Sequence, residues 1–485
     1  MQSIQDLQPF LIWKYFNDIL KIPRPSKKEE KILDYIEQLA KEKNLLYKKD
    51  KAGNILIFKK ACEGFENCKT VVLQCHVDMV CEKNSNIEHN FETDPIPAYI
   101  DNGWIKSKGT TLGADNGIGI AAQLAVLGET KINHGPVECL FTVDEESGLT
   151  GAFQLEKDFF TGRILLNLDS EDEGELFIGC AGGMDTVAKI PIKTTPVKEG
   201  YSPFKITVSG LKGGHSGDDI NKGLGNSNKI LSRLLWNASH KSDLRLFNFQ
   251  GGNLKNAIPR EAYAEILVKS EVEKPFKAYI EEFSKIISNE LLNEPDLKIS
   301  VEQISLPTGV IKRKLQNRLL NALHACPDGV IDMSTEIAGL VETSTNLASV
   351  KFMDNNYIEI ITSQRSMLGS GKKNISDRIK AQFDLAKAEI FQSDNYPGWV
   401  PNKESEILRI TEKTYQELFH QTPIVRAIHA GLECGLFLVK NPELDMISFG
   451  PTIRGAHSPD ERLEIESVGK FWYLLTKVLT MIPKN

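Results

Sequence analysis

Five short segments of this chain gather residues of the kind that hold and use divalent cations. The first is Gln74-Cys75-His76-Val77-Asp78, set after the apolar run Val71 to Leu73. A neutral imidazole binds a borderline-soft cation such as zinc through one ring nitrogen, and a carboxylate behind the ring fixes its orientation and raises its basicity. Residues two apart on a strand share a face, so His76 reads as the ligand and Asp78 as the orienting group. A histidine at a strand end is by itself more often a satisfied polar residue; its company changes the reading.

The second segment, Gly109 to Gly119, is a glycine-rich turn that carries Asp115 ahead of a small-residue helical pattern. It lacks the lysine of a phosphate loop, which argues against nucleotide binding. The two oxygens of Asp115 suit a bridge between two cations, with a helix N-cap as the plain alternative. In the third, the apolar strand Val137 to Val143 ends in Asp144-Glu145-Glu146. Neighbouring carboxylates at the buried end of a strand repel unless a cation or proton offsets them, although a solvated acidic turn would not pose that problem. The pair suggests divided labour: Glu146 on the metal, Glu145 off it and taking a proton from a bridging water.

In the fourth, the strand Ile164 to Leu168 opens into Asp169, a further ligand candidate, followed by Glu171 to Glu175, which read as a solvated charge run. The fifth, Ile453 to Glu461, places His457 in a short loop bounded by glycine and proline, beyond the apolar strand Met446 to Phe449. Loops of that kind carry function, and His457 would close the shell of a second metal.

These segments, in this order, resemble the two-zinc metallopeptidases that include carboxypeptidases, aminoacylases and di- and tripeptidases, and among them the bacterial aminoacyl-histidine (Xaa-His, carnosinase-type) dipeptidases. The likeness runs end to end and includes Gly213-Gly214-His215-Ser216-Gly217, Gly251 to Arg260, Thr362 to Ser366 and Ala430 to Gly435. It implies that His76, Asp115 and Asp169 hold one zinc and Asp115, Glu146 and His457 the other, with Glu145 as catalytic base and Asp78 behind His76. It also implies substrate contacts from His215, Asn256, Arg365 and Gly431, a lid placed over the metals, and a cis bond between Asp115 and Asn116.

Elementary chemistry runs beside the likeness. Amide hydrolysis needs an activated water, a polarised carbonyl and a stabilised oxyanion. A donor such as His215 suits the oxyanion, and a planar guanidinium such as Arg365 grips a dipeptide's carboxylate at two points, with the Asn256 amide alongside. The plain alternatives are a glycine-flanked turn for His215, a turn residue for Asn256 and a surface ion pair for Arg365.

The expected function is a dinuclear zinc dipeptidase hydrolysing unblocked Xaa-His dipeptides, including β-alanyl-histidine, through a metal-bridging water activated by Glu145. The histidine preference rests on the resemblance. A broader di/tripeptidase or an N-acyl amino acid amidohydrolase is the alternative within enzymes, and a metal sensor without activity the alternative outside them; the presence of Glu145 argues against the sensor.

Composition agrees with such an enzyme. The chain has 485 residues, 41% hydrophobic and 25% charged, enough for more than one domain. A net charge of -7 offers no basic face for nucleic acid, and no apolar run reaches a membrane span or forms a signal peptide. The eight cysteines include no Cys-x-x-Cys pair and read as reduced thiols of a cytoplasmic protein. Carboxylates and two histidines must therefore hold the metals, an oxygen-rich set that favours two zinc ions and leaves cobalt or manganese as substitutes. The partner is a small peptide, and a homodimer through the lid is expected.

The elements that position these residues follow from periodicity. Helix Glu29 to Lys43, helix Ile118 to Leu127 and the three strands already named alternate as in an α/β fold, a mostly parallel sheet flanked by helices with its acids at the strands' carboxyl ends. The catalytic domain is predicted over 1–186 and 399–485, with an inserted α+β lid over 187–398. The Pro-bearing Ile190 to Pro203 reads as the connection into the lid and Asp394 to Trp399 as the return. The lid is predicted to hold two similar halves. Strands Phe204 to Val208 and Ala262 to Val268 would surround helix Asn226 to Ala238. Helix Lys314 to Ala325, strands Ile337 to Val341, Ala348 to Phe352 and Tyr357 to Ser363, and helix Ile375 to Phe391 would form the second half. Beyond it come helix Glu404 to Phe419 and a strand over Thr422 to Ile428; His429 reads as structural.

Overall fold

Four apolar strands, Val137–Thr142, Val71–His76, Ile164–Asn167 and Asp445–Ser448, lie side by side and parallel in the computed structural model, which describes residues 3 to 484. Strands that pair antiparallel extend the sheet, Ile55–Lys59 and Leu46–Lys49 on one side and Glu175–Cys180 on the other, and Ile424–Ile428 lies beyond Glu175–Cys180. The central strands read as unbroken apolar runs because both faces are covered. Leu73, Cys75, Phe141 and Leu166 enter one core with the helices Phe10–Ile19, Glu30–Glu42, Ala114–Gly128 and Ile465–Met481. The alternate residues Val72, Leu140, Leu165 and Met446 are buried on the opposite side. Glu30–Glu42 is helical because Ile32, Leu33, Ile36, Leu39 and Ala40 recur with its period and bury one stripe. A small sheet, Ile453–Arg454, Arg462–Glu464, Trp104–Ser107 and Ala98–Asp101, carries His457 on the loop between its first two strands.

The first compact unit comprises Met1–Gly179, Trp399–Ala427 and Leu432–Asn485; the second unit comprises Cys180–Gly398 with Ile428–Gly431. The first boundary falls at Gly179, ahead of the 186 expected from sequence, because Gly182–Pro191 is a strand of the second unit and pairs with Tyr357–Ser366 and Glu389–Tyr396. Ile190 to Pro203 is therefore no simple connection: it holds the end of that strand and the start of the next, Tyr201–Ser209.

The second unit is built on a nine-stranded sheet, and its strand order reveals the doubling. In sheet order one half reads Lys298–Gln303, Tyr201–Ser209, Ala262–Lys269 and Arg245–Gly251; in chain order it reads β-α-β-β-α-β. The other half mirrors it as Glu389–Tyr396, Gly182–Pro191, Tyr357–Ser366 and Val341–Met353, with Gly329–Met333 added beside the last. The halves join where Arg245–Gly251 pairs antiparallel with Val341–Met353. They are nested rather than consecutive, since the whole of the first half follows the opening strand of the second. Phe204, Ile206 and Val208 alternate into the core formed with helices Ser227–Lys241, Glu273–Glu290, Arg313–Ala325 and Gly369–Leu385.

Two expected elements of the second half differ. Ile337 to Val341 is a turn up to Leu340, closed by a hydrogen bond from the Ser334 amide to the Leu340 carbonyl, and the strand starts at Val341. The helix expected to reach Phe391 ends at Leu385, and Glu389–Tyr396 is a strand. Lys387 takes the left-handed conformation after the helix (φ 64°), a position where glycine or asparagine would have announced the stop.

Candidate active site

The strand ends deliver their acids to one place in the first unit. His76 is the last residue of its strand, and its Nε2 lies 3.1 Å from Asp115 Oδ1 and 3.3 Å from Asp169 Oδ1. His457 Nε2 lies 3.1 Å from Asp115 Oδ2 and 3.1 Å from Glu146 Oε2. Asp115 thus presents one oxygen to each of two groups, His76–Asp115–Asp169 and Asp115–Glu146–His457, whose ligand atoms lie within 4.8 Å of one another. Glu145 falls within the same distance of His76 and Glu146.

Asp78 lies in the loop just past the strand, so alternation does not carry it to its post; hydrogen bonds do. Its carboxylate is 3.3 Å from His76 Nδ1 and accepts from Ser26 Oγ and from the amides of Glu145 (3.0 Å) and Glu146 (3.1 Å). One buried carboxylate thereby sets the ring of His76 and the turn that carries both glutamates. Burial works to raise its pKa, but the bonds from His76, Ser26 and the Glu145 amide hold it below the ordinary range.

Asp115 is fixed with comparable care. The Asp115–Asn116 bond is cis, as the resemblance implied. Glu461 accepts from the amides of Leu112, Gly113, Ala114 and Asp115 at 2.7 to 3.3 Å, capping the helix that starts at Ala114. The buried Arg24 donates to the carbonyls of Val77, Asp78 and Gly113. Gly113 (φ 69°) and Gly117 leave room for it, because a Cβ at either would lie 2.7 Å from Arg24 Nη2.

These residues fit divalent cations on their own evidence. Among the described residues, Asp115, Glu146 and Asp169 find only histidines as ion-pair partners, and Glu146 Oε1 is buried with no hydrogen-bond partner. Burial, opposed by His76 and aided by the charges of Glu146 and Asp169, pushes the Glu145 carboxyl well above its ordinary range. Hydrogen bonds to Asp115 and Glu146 push the His457 imidazole up to about 11. Burial likewise raises Glu146 and Asp169, while the two histidines hold Asp115 low, so several of these acids keep protons unless cations take over the compensation.

Beneath this group runs a row of buried polar side chains, one from each parallel strand. Ser448 donates to Asn167 Oδ1 (2.5 Å), Asn167 Nδ2 to Gln74 Oε1 (2.6 Å), and Gln74 Nε2 (2.6 Å) and Thr142 Oγ1 (2.7 Å) to Glu433 Oε2. Burial lifts Glu433 from 4.5 to about 8. The folded chain therefore holds this proton more tightly than the unfolded one, so its stabilising contribution is complete below pH 4.5 and is lost as pH rises to about 8. Metal-free Glu433→Gln, in which an amide imitates the protonated acid, should gain on the wild type over that window by up to ~1.4 kcal/mol per pH unit. Urea unfolding at pH 5 and pH 8.5 checks this; parallel stability curves would rule out a protonated Glu433.

The remaining expected residues lie in the second unit, and they are drawn together in two pairs. His215 and Ala257 pair across two short strands, and the Ser216 amide donates to the Asn256 carbonyl, which sets Asn256 beside His215. His215 Nδ1 accepts from the amides of Gly217 and Asp218, which places its proton on Nε2, the donor an oxyanion requires. Arg365, buried on the strand Tyr357–Ser366, donates to Tyr396 Oη at 3.2 Å, and Gly431 lies against the same tyrosine ring. His429 is buried with Nε2 2.7 Å from Ser344 Oγ; burial, then Arg365 and His215, depress it to about 3, so it is neutral.

Arg24, Glu433, Glu461 and Tyr396 were given no role by sequence reading. The signals available were slight: Arg24 stands between Pro23 and Pro25, Glu461 follows His457 by four residues, and Glu433 lies inside Ala430 to Gly435. The acids after Asp169 are not a solvated run. Asp172 pairs with Arg454, Glu173 takes Tyr415 and Lys470, and Glu175 takes Arg426.

Residues 72–481 match the model of peptidase family M20/M25/M40. The chain is 46% identical over 484 residues to the cytosol non-specific dipeptidase of Escherichia coli (strain K12), covering 100% of both. Its structure superposes on an aminoacylhistidine dipeptidase from Vibrio alginolyticus with a TM-score of 0.88 and 43% identity, over 100% of this chain and 99% of that one. The aminopeptidase PepT of Bacillus cereus, 15% identical with a TM-score of 0.58 over 98% of this chain and 99% of that one, shares the fold.

Proposed function

This chain belongs to peptidase family M20/M25/M40, and on that premise we propose that it hydrolyses unblocked dipeptides with two zinc ions, one held by His76, Asp115 and Asp169 and the other by Asp115, Glu146 and His457. The observation that carries this reading is the shared carboxylate of Asp115, with one oxygen 3.1 Å from each histidine. Two imidazoles among carboxylates favour zinc, with cobalt or manganese as substitutes. When bound, such ions polarise the scissile carbonyl and lower the pKa of water.

The chain's own residues supply the rest. Glu145 takes the proton of the attacking water at its carboxylate and returns it to the leaving amine nitrogen. Asp78 keeps that glutamate and His76 in place. His215 Nε2–H donates to the developing oxyanion, and Arg365, with Asn256 and Gly431, receives the substrate's carboxylate end.

The Escherichia coli relative is named for breadth and the Vibrio protein for aminoacyl-histidine substrates. Both names support a dipeptidase, and we place Xaa-His, β-alanyl-histidine included, among the dipeptides cleaved. A cytoplasmic location is supported by the relative's name and by eight free cysteines. A homodimer through the lid unit is the proposed assembly; a monomer mass in light scattering at micromolar concentration would exclude it.

The test is a substrate panel with zinc-loaded protein: β-alanyl-histidine, glycyl-histidine, leucyl-glycine, a tripeptide and an N-acetyl amino acid. Cleavage is expected for the dipeptides. Cleavage of the N-acetyl amino acid with none of the dipeptides would instead make the chain an amidohydrolase.

A further inference from the structure

Three strands of the second unit meet in register at one glycine. On Gly182–Pro191, Gly183 stands opposite Arg365 of Tyr357–Ser366 on one side and opposite Tyr396 of Glu389–Tyr396 on the other. The register of Glu389–Tyr396 shifts just before Tyr396, which re-aims that residue. A Cβ on Gly183 would lie 2.5 Å from Cζ and Oη of Tyr396, and one on Gly431 would lie 2.8 Å from its Cε2. The ring therefore occupies the side-chain space of two glycines. From that seat its Oη accepts the hydrogen bond of Arg365 Nη1. Lys372 Nζ binds the Tyr396 carbonyl and holds the same residue from the other end of its backbone.

The guanidinium so held has work left to do. Arg365 is 7% exposed, no carboxylate is paired with it among the described residues, and its Nε is buried with no partner. With Nη1 engaged by tyrosine and Nε sealed from solvent, Nη2 is the nitrogen left to meet a carboxylate oxygen. An arginine side chain carries about 2 kcal/mol of rotamer entropy, and holding it in place before the ligand arrives removes part of that cost from binding.

We propose that Tyr396, seated in the space left by Gly183 and Gly431, is a positioning residue that sets the Arg365 guanidinium for the terminal carboxylate of the dipeptide. The proposal rests on the reading of Arg365 as the carboxylate's partner. It also assigns Gly431 a definite task, which is to make room for the ring.

The experiment measures kcat and KM of the zinc-loaded enzyme for leucyl-glycine and for its C-terminal amide, with wild type, Tyr396→Phe, Arg365→Ala, Gly431→Ala, Tyr396→Ala and the double variant Tyr396→Ala/Gly431→Ala. Tyr396→Phe keeps the ring and should raise KM for the free dipeptide about tenfold, the loss that accompanies one hydrogen bond to a charged group, with kcat within about twofold. The amide should feel little of this. Gly431→Ala should show the same KM signature, and in the Tyr396→Ala background should add almost nothing, since the two act through one space. If Arg365→Ala weakens acid and amide alike, the reading of Arg365 falls and takes the proposal with it. If Arg365→Ala weakens only the acid while Tyr396→Phe matches wild type, the proposal alone is overturned. Full additivity of Gly431→Ala and Tyr396→Ala would overturn it as well.

Discussion

Glu145→Gln is expected to lower kcat about a thousandfold, the usual worth of a positioned general base, while KM and metal content stay close to wild type. The substitution is close to isosteric and leaves the backbone amide of residue 145 donating to Asp78, so the turn and Glu146 keep their places. What it removes is the ability to take a proton and give it back. Because burial and the adjacent Glu146 push this carboxyl well above its ordinary range, the metal-free variant should also resist urea better than metal-free wild type at neutral pH, where the wild-type acid has to stay protonated or ionise against its neighbours. Steady-state kinetics with metal counted by emission spectroscopy reads the first effect. A variant within tenfold of wild type would transfer the role of base to another group.

Asp115→Asn should be at least as damaging, and by a different route. Asp115 alone belongs to both His76–Asp115–Asp169 and Asp115–Glu146–His457. An amide offers one oxygen and no charge, so two cations can no longer share it; bound metal should fall from two equivalents to one or fewer after dialysis. Polarisation by the lost ion is worth several kcal/mol, which corresponds to about three orders of magnitude in kcat/KM. His457 is held up near 11 by Asp115 and Glu146 together, so its pKa should fall in the variant, an effect visible in histidine NMR titration of metal-free protein. Retention of two ions by the asparagine variant would remove Asp115 from its bridging position.

The grouping of these acids and histidines was legible because its chemistry is written locally. His76, Glu145, Glu146 and Asp169 follow directly on apolar strands, and charged residues in such places need a reason. The groups that hold them in place were not legible. Arg24 acts through backbone carbonyls, and Glu461 through four amides that lie more than three hundred residues earlier in the chain. Neither leaves a periodic trace, since nothing near Arg24 shows that Gly113 and Gly117 are vacant for it. Tyr396 escaped for a related reason. The helical pattern of Ile375 to Phe391 ran past the real stop, which a lysine rather than a glycine makes, so the strand that ends in Tyr396 was hidden. The doubled lid was visible as alternating elements, whereas its nesting emerges only from strand order.

That nesting has a consequence for how the chain is born. Gly182–Pro191 leaves the ribosome before either strand it will pair with, since Tyr357–Ser366 and Glu389–Tyr396 are made last in the unit. Every strand of the inner half lies between Tyr201 and Gln303, so that half can close on its own partners while the outer half is still being synthesised. Its finished edge, Arg245–Gly251, then becomes a template on which Val341–Met353 can nucleate the second half. Meanwhile the first strand waits with both sides open, the condition in which β-strands find wrong partners, and closing it demands contacts of long separation that form slowly. The inner half thus serves during synthesis as a scaffold for the outer one, and the interval before Glu389–Tyr396 emerges is the period in which the growing chain most depends on protection from its neighbours.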